Sequence, residues 1–566
     1  MKHWIALAAI LILGLGAIVF SQRRKVDSGA SPAAILYLIA DTEHELTRMP
    51  VRFTRISDDD EIRAGDELAN GYIPDGRDKP AAEVTEIQAY LNQVGVRLAA
   101  NAHRKLPYRF HYVPDQGFVN AFALPGGHVY IGAGLLALMD SEDQLAAVLG
   151  HEIEHIDHYH CAERLQLERA LRKVPLAELV ALPIEIFQAG YSKDQELEAD
   201  REGTRLAVEA GYSASGAIRV FETFQRLYDE VHARAKTPQD ELSQVAIDTL
   251  QGYFRSHPLP SERIAQVNGM IAGSAWQNRP ERDLAVAYIF WTERAEASLN
   301  EGKYPQAQEL AARAAQMHSN GKILRILAQA QFFRADFANA AASYRKILDG
   351  DIWTIDLADS YALSLAASHQ QNAASEFRQW IALLPGDTEP LQVPLDGLLL
   401  LAGDAAPARR LQAEILGNLA SSSGPDQLSD LGWWCYLAKD YSNAADLQRE
   451  AMQRRPGNLR MLMRLAWIEI DLRRLADALE TINRADQIAT GPGAPSEKIM
   501  APAVARWQAQ ERDTALIDFE HAIARHPEWT NNHWVESVYS PLVAQSVQEM
   551  QAEYDRRKKA KAKVQR

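Results

Sequence analysis

Cysteine is almost absent from this sequence. Cys161 and Cys435 are the two cysteines among 566 residues and lie far apart, so no disulfide framework holds the fold. A positive charge balance is also missing, because 75 acidic residues outnumber 60 basic ones. The formal net charge of -15 argues against a broad nucleic-acid-binding surface. With 47% hydrophobic and 24% charged residues the composition is globular, which excludes wholesale disorder, a collagen-like chain and a polytopic membrane protein.

One uncharged apolar run lies at the start of the chain. It covers 17 residues, from Trp4 to Phe20, which is at the lower limit of about 17–25 residues for a membrane span. Lys2 precedes it, and the three basic residues that follow are unfavourable for signal cleavage near Ser21. We therefore expect residues 1–25 to be an N-terminal membrane anchor or a cleaved signal segment, and both remain open. The charge asymmetry weakly favours a cytoplasmic body.

The next part of the chain mixes helical and strand patterns. We predict a linker over 26–56 and, over 57–275, an α+β domain that is mainly helical with a small sheet. Ser141 is a predicted N-cap, followed by helix as far as Arg172. Helical spacing covers residues 83–102, and strand-like pieces cover 108–113, 118–123 and 128–132.

After about residue 285 the strand patterns disappear, and alanine- and leucine-rich helices are broken at regular intervals. Alanines align at spacings of 33 to 37 residues, at Ala307, Ala340, Ala373, Ala408, Ala444, Ala478 and Ala515. This pattern resembles tetratricopeptide repeats over 285–530; the alternative is a non-repeating alanine-rich helical bundle. Such repeats stack into an all-α solenoid with a concave face that holds a peptide or a partner protein. Residues 531–566 are a C-terminal tail with a basic end, which is either solvated or touches anionic lipid or nucleic acid.

The strongest chemical signal is His151-Glu152-Ile153-Glu154-His155. On a helix with about 3.6 residues per turn, His151 and His155 lie on one face, where two imidazole nitrogens can bind one Zn²⁺. Glu152 can then reach a water beside the metal without binding the metal itself. The alternative, a solvated face of histidine and glutamate, fits poorly because residues 145–149 have the apolar character of a core.

A catalytic zinc needs a third protein ligand and an open fourth position. Glu196 and Asp200 are four residues apart on a second predicted helix and therefore share a face. We expect Glu196 to be the third ligand, with Glu198 as its rival. Asp200 is expected to accept a hydrogen bond from the ring nitrogen of a ligand histidine that does not bind the metal. The predicted cofactor is one Zn²⁺ per chain.

Further motifs occur in order around these residues: Asn120-Ala121-Phe122-Ala123-Leu124-Pro125-Gly126-Gly127, Gly134-Leu135-Leu136, the HExxH helix ending in His160, Gly211-Tyr212, and Ser256-His257-Pro258 through Arg263-Ile264. Together they resemble the gluzincin metallopeptidases of the HtpX and CAAX-prenyl-protease (Ste24-like) type. With the repeats behind them, the chain is similar to the BepA-type envelope peptidases. It departs from them at Glu154, where a small residue is frequent, and at Gly150, which replaces an alanine.

The resemblance implies a role for each matched residue at the metal. His151, His155 and Glu196 would bind zinc, and Glu152 would act as the general base. His257 would approach the metal, either as an oxyanion stabiliser or as a fourth ligand that silences the resting enzyme.

The resemblance also implies residues around the metal site. Arg263 would support the site from behind the ligands. An edge strand would pair with the substrate backbone, and its residues are Asn120, Ala121, Phe122 and Ala123.

The resemblance finally implies a function and a location. The expected function is a zinc-dependent metalloendopeptidase that cleaves (mis)folded envelope or membrane-associated proteins, with repeats that bind substrates or partner proteins. The body would lie in the periplasm or envelope, with the membrane contacted through the N-terminal segment and no nucleic acid bound. The alternative is a repeat scaffold or chaperone whose peptidase domain is latent.

Overall fold

The computed structural model describes residues 56–72, 80–172, 185–188, 190–234, 260–274, 276, 279–350, 353–369, 371–385, 388–417, 424–488 and 496–564. The described residues form two compact units, which divide between Phe290 and Trp291. The predicted anchor or signal segment, residues 1–25, lies outside the described residues. Within the ranges given above, no helix is both long enough and apolar enough to cross a membrane.

The first unit is mainly helical with one small sheet in its described part, which confirms the predicted α+β class. Ser57 begins the first helix by accepting a hydrogen bond from the Asp60 backbone N–H. The helices are α1 (Asp58–Gly71), α2 (Ala81–Ala99), α3 (Ala133–Leu136), α4 (Glu142–Asp157), α5 (His160–Arg172), α6 (Glu185–Gln188), α7 (Lys193–Glu209), α8 (Ser215–Arg234) and α9 (Pro260–Gly273).

The sheet contains three strands, β1 (Arg109–Val113), β2 (Ala121–Leu124) and β3 (His128–Gly132), in the order β1-β3-β2. The central strand β3 is parallel to β1 and antiparallel to β2. A tight turn that includes Gly126, with a φ of 78°, joins β2 to β3, and glycine adopts this backbone without steric cost. Strand β2 therefore lies at the edge of the described sheet, where it packs against α4.

The helix that carries the HExxH motif, α4, has a defined start and end. Ser141 accepts a hydrogen bond from the Gln144 backbone, and the Gln144 side chain accepts one from the Ser141 backbone. This capping box confirms the predicted N-cap. The helix does not continue to Arg172, because Tyr159 adopts a left-handed backbone with a φ of 65°. The chain turns there, and α5 begins at His160.

The second unit consists of helices throughout its described residues. The first of them, α10 (Ala287–Asn300), begins before the division at Trp291. The others are, in chain order, α11 (Tyr304–Met317), α12 (Gly321–Phe333), α13 (Phe337–Gly350), α14 (Ile355–Ala367), α15 (Ala373–Ile381), α16 (Gln392–Leu401), α17 (Ala406–Gly417), α18 (Gly424–Leu437), α19 (Tyr441–Arg454), α20 (Leu459–Asp471), α21 (Leu475–Ile488), α22 (Ser496–Gln508), α23 (Arg512–Arg525), α24 (Asn532–Val538) and α25 (Pro541–Val564).

The helices from α10 to α23 form seven consecutive pairs with a repeated turn. Within each pair, one residue with positive φ separates the two helices: Gly302, Ala335, His369, Gly403, Lys439, Arg473 and Gln510. A left-handed residue at this position ends the first helix of the pair. The seven aligned alanines all lie in the second helices and are all buried, as expected for small side chains where helices cross. The predicted repeat architecture is confirmed.

The chain after the seventh pair, from His526 onward, packs back onto earlier helices of the same unit. We call it the returning segment. The Trp529 ring stacks on Trp467 of α20 at a centroid distance of 5.8 Å. Trp534 contacts Phe333 of α12, and Tyr539 contacts Trp433 of α18. A groove of about 1400 Å³ lies beside these side chains and is lined by both the early helices and this returning segment.

Candidate metal centre

Two helices of the first unit bring the three predicted zinc ligands together. His151 and His155 lie one turn apart on α4, and their Nε2 atoms are 3.1 Å apart. Glu196 of α7 places its carboxylate oxygens 3.5 Å from His151 Nε2 and 3.6 Å from His155 Nε2. The three candidate ligand atoms lie within 4.8 Å of one another, and all three residues are buried.

This donor set fits a zinc ion. Two imidazole nitrogens and one carboxylate are the protein ligands of many catalytic zinc sites, which keep a further position open. The electrostatics also favour a cation. Burial opposes protonation of His151, but its hydrogen bonds to Asp200 and Glu196 raise its pKa to about 10. Glu196 and not Glu198 faces His151 and His155, and Glu196 is fully buried whereas the Glu198 side chain is 38% exposed.

A pair of glycines lets the two ligand helices approach closely. Gly150 of α4 and Gly203 of α7 face each other, and a Cβ atom on Gly203 would lie 2.7 Å from the His151 backbone nitrogen. A Cβ on Gly150 would lie 2.8 Å from the Gly203 carbonyl oxygen. Real Cβ contacts are not this short, so the helix spacing at the site depends on both glycines. Close helix packing therefore explains why this chain has Gly150 where the peptidases that it resembles have an alanine.

Asp200 and Arg263 lie behind His151. The Asp200 carboxylate is 2.9 Å from His151 Nδ1, as the spacing of the acidic pair predicts. Arg263 Nε donates to the same carboxylate at 2.6 Å, and its guanidinium also lies over the Phe221 ring. Burial would raise the pKa of Asp200, but Arg263 and His151 outweigh it and hold the pKa below its ordinary value. The carboxylate therefore favours its ionised form and lies within hydrogen-bond distance of the His151 ring.

Glu152 is buried beside the first ligand. Burial raises its pKa to about 7, because the neighbouring charges do not compensate for the loss of solvent. A cavity of about 20 Å³ touches Glu152, His151 and Arg263, which is room for about one water molecule. A carboxyl group with a pKa near neutrality can both take and return a proton at physiological pH.

The predicted substrate strand is placed at the sheet edge. Asn120 O accepts from Gly132 N in the β2–β3 ladder, so Ala121 and Ala123 direct their backbone groups to the other side. The Ala121 N–H donates to the Asn120 side chain at 3.0 Å, and the Cys161 thiol lies 3.6 Å from the Ala123 carbonyl. Phe122 is buried. His257, the remaining predicted site residue, lies outside the described residues.

Sequence reasoning missed a group of residues around His155. His155 Nδ1 lies 3.0 Å from His160 Nδ1, and His160 Nε2 lies 3.3 Å from Glu198 Oε2. The Tyr191 ring stacks on His155 at a centroid distance of 4.0 Å. Burial lowers the pKa of His160, while its hydrogen bond lowers the pKa of Glu198 to about 2. The two histidines that closely follow HExxH in the sequence, His158 and His160, were the available signal.

Comparison with known proteins agrees with this geometry. Residues 86–271 match the model of peptidase family M48, and residues 436–493 match a tetratricopeptide repeat model. The first match includes both helices that carry the candidate zinc ligands. The predicted resemblance to HExxH zinc metallopeptidases, with tetratricopeptide repeats behind the peptidase region, is confirmed.

Proteins similar to this region of the chain include bacterial proteases and a mitochondrial metalloendopeptidase. The Escherichia coli beta-barrel assembly-enhancing protease is 28% identical over 199 residues, 31% of this chain and 37% of that protein. A Vibrio cholerae protein named after the same protease is 31% identical over 209 residues, 33% of this chain and 39% of that protein. The Arabidopsis thaliana mitochondrial metalloendopeptidase OMA1 is 30% identical over 169 residues, 28% and 31% of the two chains. The matches span less than two fifths of each relative.

Proposed function

We propose that this chain is a zinc metalloendopeptidase that cleaves (mis)folded envelope or membrane-associated proteins and uses its repeats to bind substrates or partners. The observation that carries the proposal is the buried group of His151, His155 and Glu196, whose ligand atoms lie within 4.8 Å of one another. The M48 match over residues 86–271 supports the same chemistry.

Each residue of the candidate metal centre has its own role in the proposed peptide hydrolysis. His151, His155 and Glu196 would hold one zinc ion, which when bound would supply Lewis-acid chemistry at the scissile carbonyl and the attacking water. Glu152 takes a proton from the attacking water and returns it to the departing amine. Its raised pKa, about 7, suits both transfers. Asp200 and Arg263 keep the His151 ring in the orientation that binds the metal.

We further propose that β2 holds the substrate backbone as an added strand. Its position at the edge of the described sheet and its packing against α4 support this role. Cys161 and the Asn120 side chain contact the outward backbone groups of Ala123 and Ala121, so a substrate strand has to displace them. His257 stays a sequence-based proposal, with an assisting or an inhibitory role.

The location and the partner-binding role are also proposals. Two relatives are named beta-barrel assembly-enhancing proteases, which favours an envelope location with the body in the periplasm. The repeats, in a unit that begins at Trp291, are a separate compact body, which supports a binding role distinct from catalysis. The groove of about 1400 Å³ is a suitable place for an extended peptide.

Metal analysis combined with proteolysis tests the proposal. The purified chain should carry about one zinc, and Glu152→Gln should keep the zinc while cleaving an unfolded protein at least about 10²-fold more slowly. Glu209→Gln, an exposed change on α7, is the matched control and should behave as wild type. Cleavage by Glu152→Gln at the wild-type rate would contradict the mechanism. Zinc binding without cleavage by wild type would favour the scaffold alternative.

A further inference from the structure

The two candidate zinc-binding histidines have different partners behind them. His151 faces the Asp200 carboxylate through Nδ1, whereas His155 faces another imidazole, that of His160, through Nδ1. His160 is 3% exposed and faces Glu198 with its second nitrogen. The Asp200 side is part of the proposed function, but the His160 side has no role in it.

An uninterrupted helix could not bring His160 to this position. Residues five apart on an α-helix point about 140° away from each other, so their rings do not meet. The break at Tyr159 changes this, because its left-handed backbone, with a φ of 65°, turns the chain between the two histidines. Such a backbone is unfavourable for a bulky residue and persists only where its surroundings hold it.

A buried network holds that unfavourable turn. The Arg104 guanidinium lies 3.9 Å above the Tyr159 ring and donates to the Ile156 carbonyl at 2.7 Å. The same side chain donates to Glu61 at 2.6 Å. The Asp157 carboxylate accepts from the Arg104 backbone N–H at 2.6 Å. Several elements of the unit therefore cooperate to keep His160 against His155.

The hydrogen-bond roles along this chain of residues are mutually consistent. His155 Nε2 points towards His151 and Glu196, so Nδ1 is the nitrogen left to carry the proton. That N–H can donate to His160 Nδ1, which leaves the proton of a neutral His160 on Nε2. The Glu198 carboxylate then accepts from His160 Nε2. Each nitrogen has one role, and no proton is missing or in excess.

We infer that His160 is a positioning residue for the zinc ligand His155, and that Glu198 orients His160 in turn. This inference rests on the proposed zinc site. Glu198, which the sequence offers as an alternative zinc ligand, thus has a different role, which is to orient His160. The Tyr191 ring, stacked on His155, fixes the plane of the same ligand from a second direction.

Two substitutions of His160 in the full-length chain separate positioning from space filling. His160→Phe keeps the ring volume but removes the acceptor for His155 Nδ1, and zinc affinity should fall about 10–100-fold. His160→Asn is smaller but offers an amide oxygen near the position of Nδ1, so it should recover most of that loss. If His160 only filled space, the order would be reversed, because phenylalanine fills the site better. His318→Phe is the control, since His318 is exposed and lies in the second unit.

The readouts are zinc affinity by competition with a chelating dye and the visible spectrum of the cobalt-substituted protein. We expect the cobalt spectrum to change in His160→Phe and to resemble wild type in His160→Asn and His318→Phe. Equal zinc affinities for His160→Phe and wild type, or equal losses in both His160 variants, overturn the positioning role alone. A wild-type chain that binds no zinc overturns the proposed function and this inference together.

Discussion

Replacing Gly203 by alanine should move the helices that carry the proposed zinc ligands apart. The new Cβ would lie 2.7 Å from the backbone nitrogen of His151 and 2.8 Å from the carbonyl carbon of Gly150. These neighbours are backbone atoms of α4, so no flexible side chain can move aside. To reach an ordinary contact of 3.4 Å, α4 and α7 must separate locally by about 0.7 Å.

This displacement should affect the metal more than the fold. Overpacking a core costs about 1–3 kcal/mol, whereas alanine stabilises a helix interior by about 1 kcal/mol relative to glycine. The net loss of stability is therefore about 0–2 kcal/mol. Metal–ligand distances tolerate only about 0.2 Å, and Glu196 lies on the helix that moves. We expect zinc affinity to fall at least about tenfold.

Zinc affinity and thermal unfolding of the metal-free chain measure the two effects separately. Gly269→Ala on α9 is the matched control, because its Cβ would meet no atom within 4 Å. It should stabilise the chain by up to about 1 kcal/mol and leave zinc affinity unchanged. Gly150→Ala should be milder than Gly203→Ala, since it brings one close contact instead of three. Wild-type zinc affinity in Gly203→Ala would refute the claim that this helix spacing sets the site.

Three further changes test other parts of the structure. Arg263→Ala should destabilise the first unit by about 3–5 kcal/mol, because it leaves the buried Asp200 carboxylate without its guanidinium; denaturant unfolding measures this. Burial lowers the pKa of His111 to about 4 from 6.5, so the metal-free chain should lose stability as pH falls from about 6.5 towards 4, and His111→Phe should flatten that dependence. Trp529→Ala should destabilise the repeat unit by about 3–5 kcal/mol without changing zinc affinity.

The metal centre was predictable because helical periodicity fixes it. His151 and His155 are four residues apart, and so are Glu196 and Asp200, so each pair shares a helix face wherever the helices lie. Periodicity alone could not choose between Glu196 and Glu198, which point in different directions from one helix. That choice depends on which face of α7 packs on α4, and the close contact at Gly203 decides it.

The turn at Tyr159 could not be predicted from its own residues. No glycine or proline stands between His155 and Arg172, and local propensity favours a continuous helix. The break depends on Arg104, more than fifty residues earlier, and on the Asp157 carboxylate. Tertiary contacts override the local pattern here. For the same reason the contact between His160 and His155 was missed, although both histidines were visible in the sequence.

The repeat pattern also failed to predict how residues 531–566 pack. Periodicity stops after the seventh pair, so residues 531–566 read as a tail. Trp534 and Tyr539 are nevertheless buried against the repeats, together with Trp529 just before them. Three large aromatic residues in so short a stretch are a better guide to burial than the loss of the repeat. This burial has a consequence for binding, because the returning segment also lines the groove of about 1400 Å³. A peptide in that groove would therefore contact the chain's own C-terminal segment as well as the repeats.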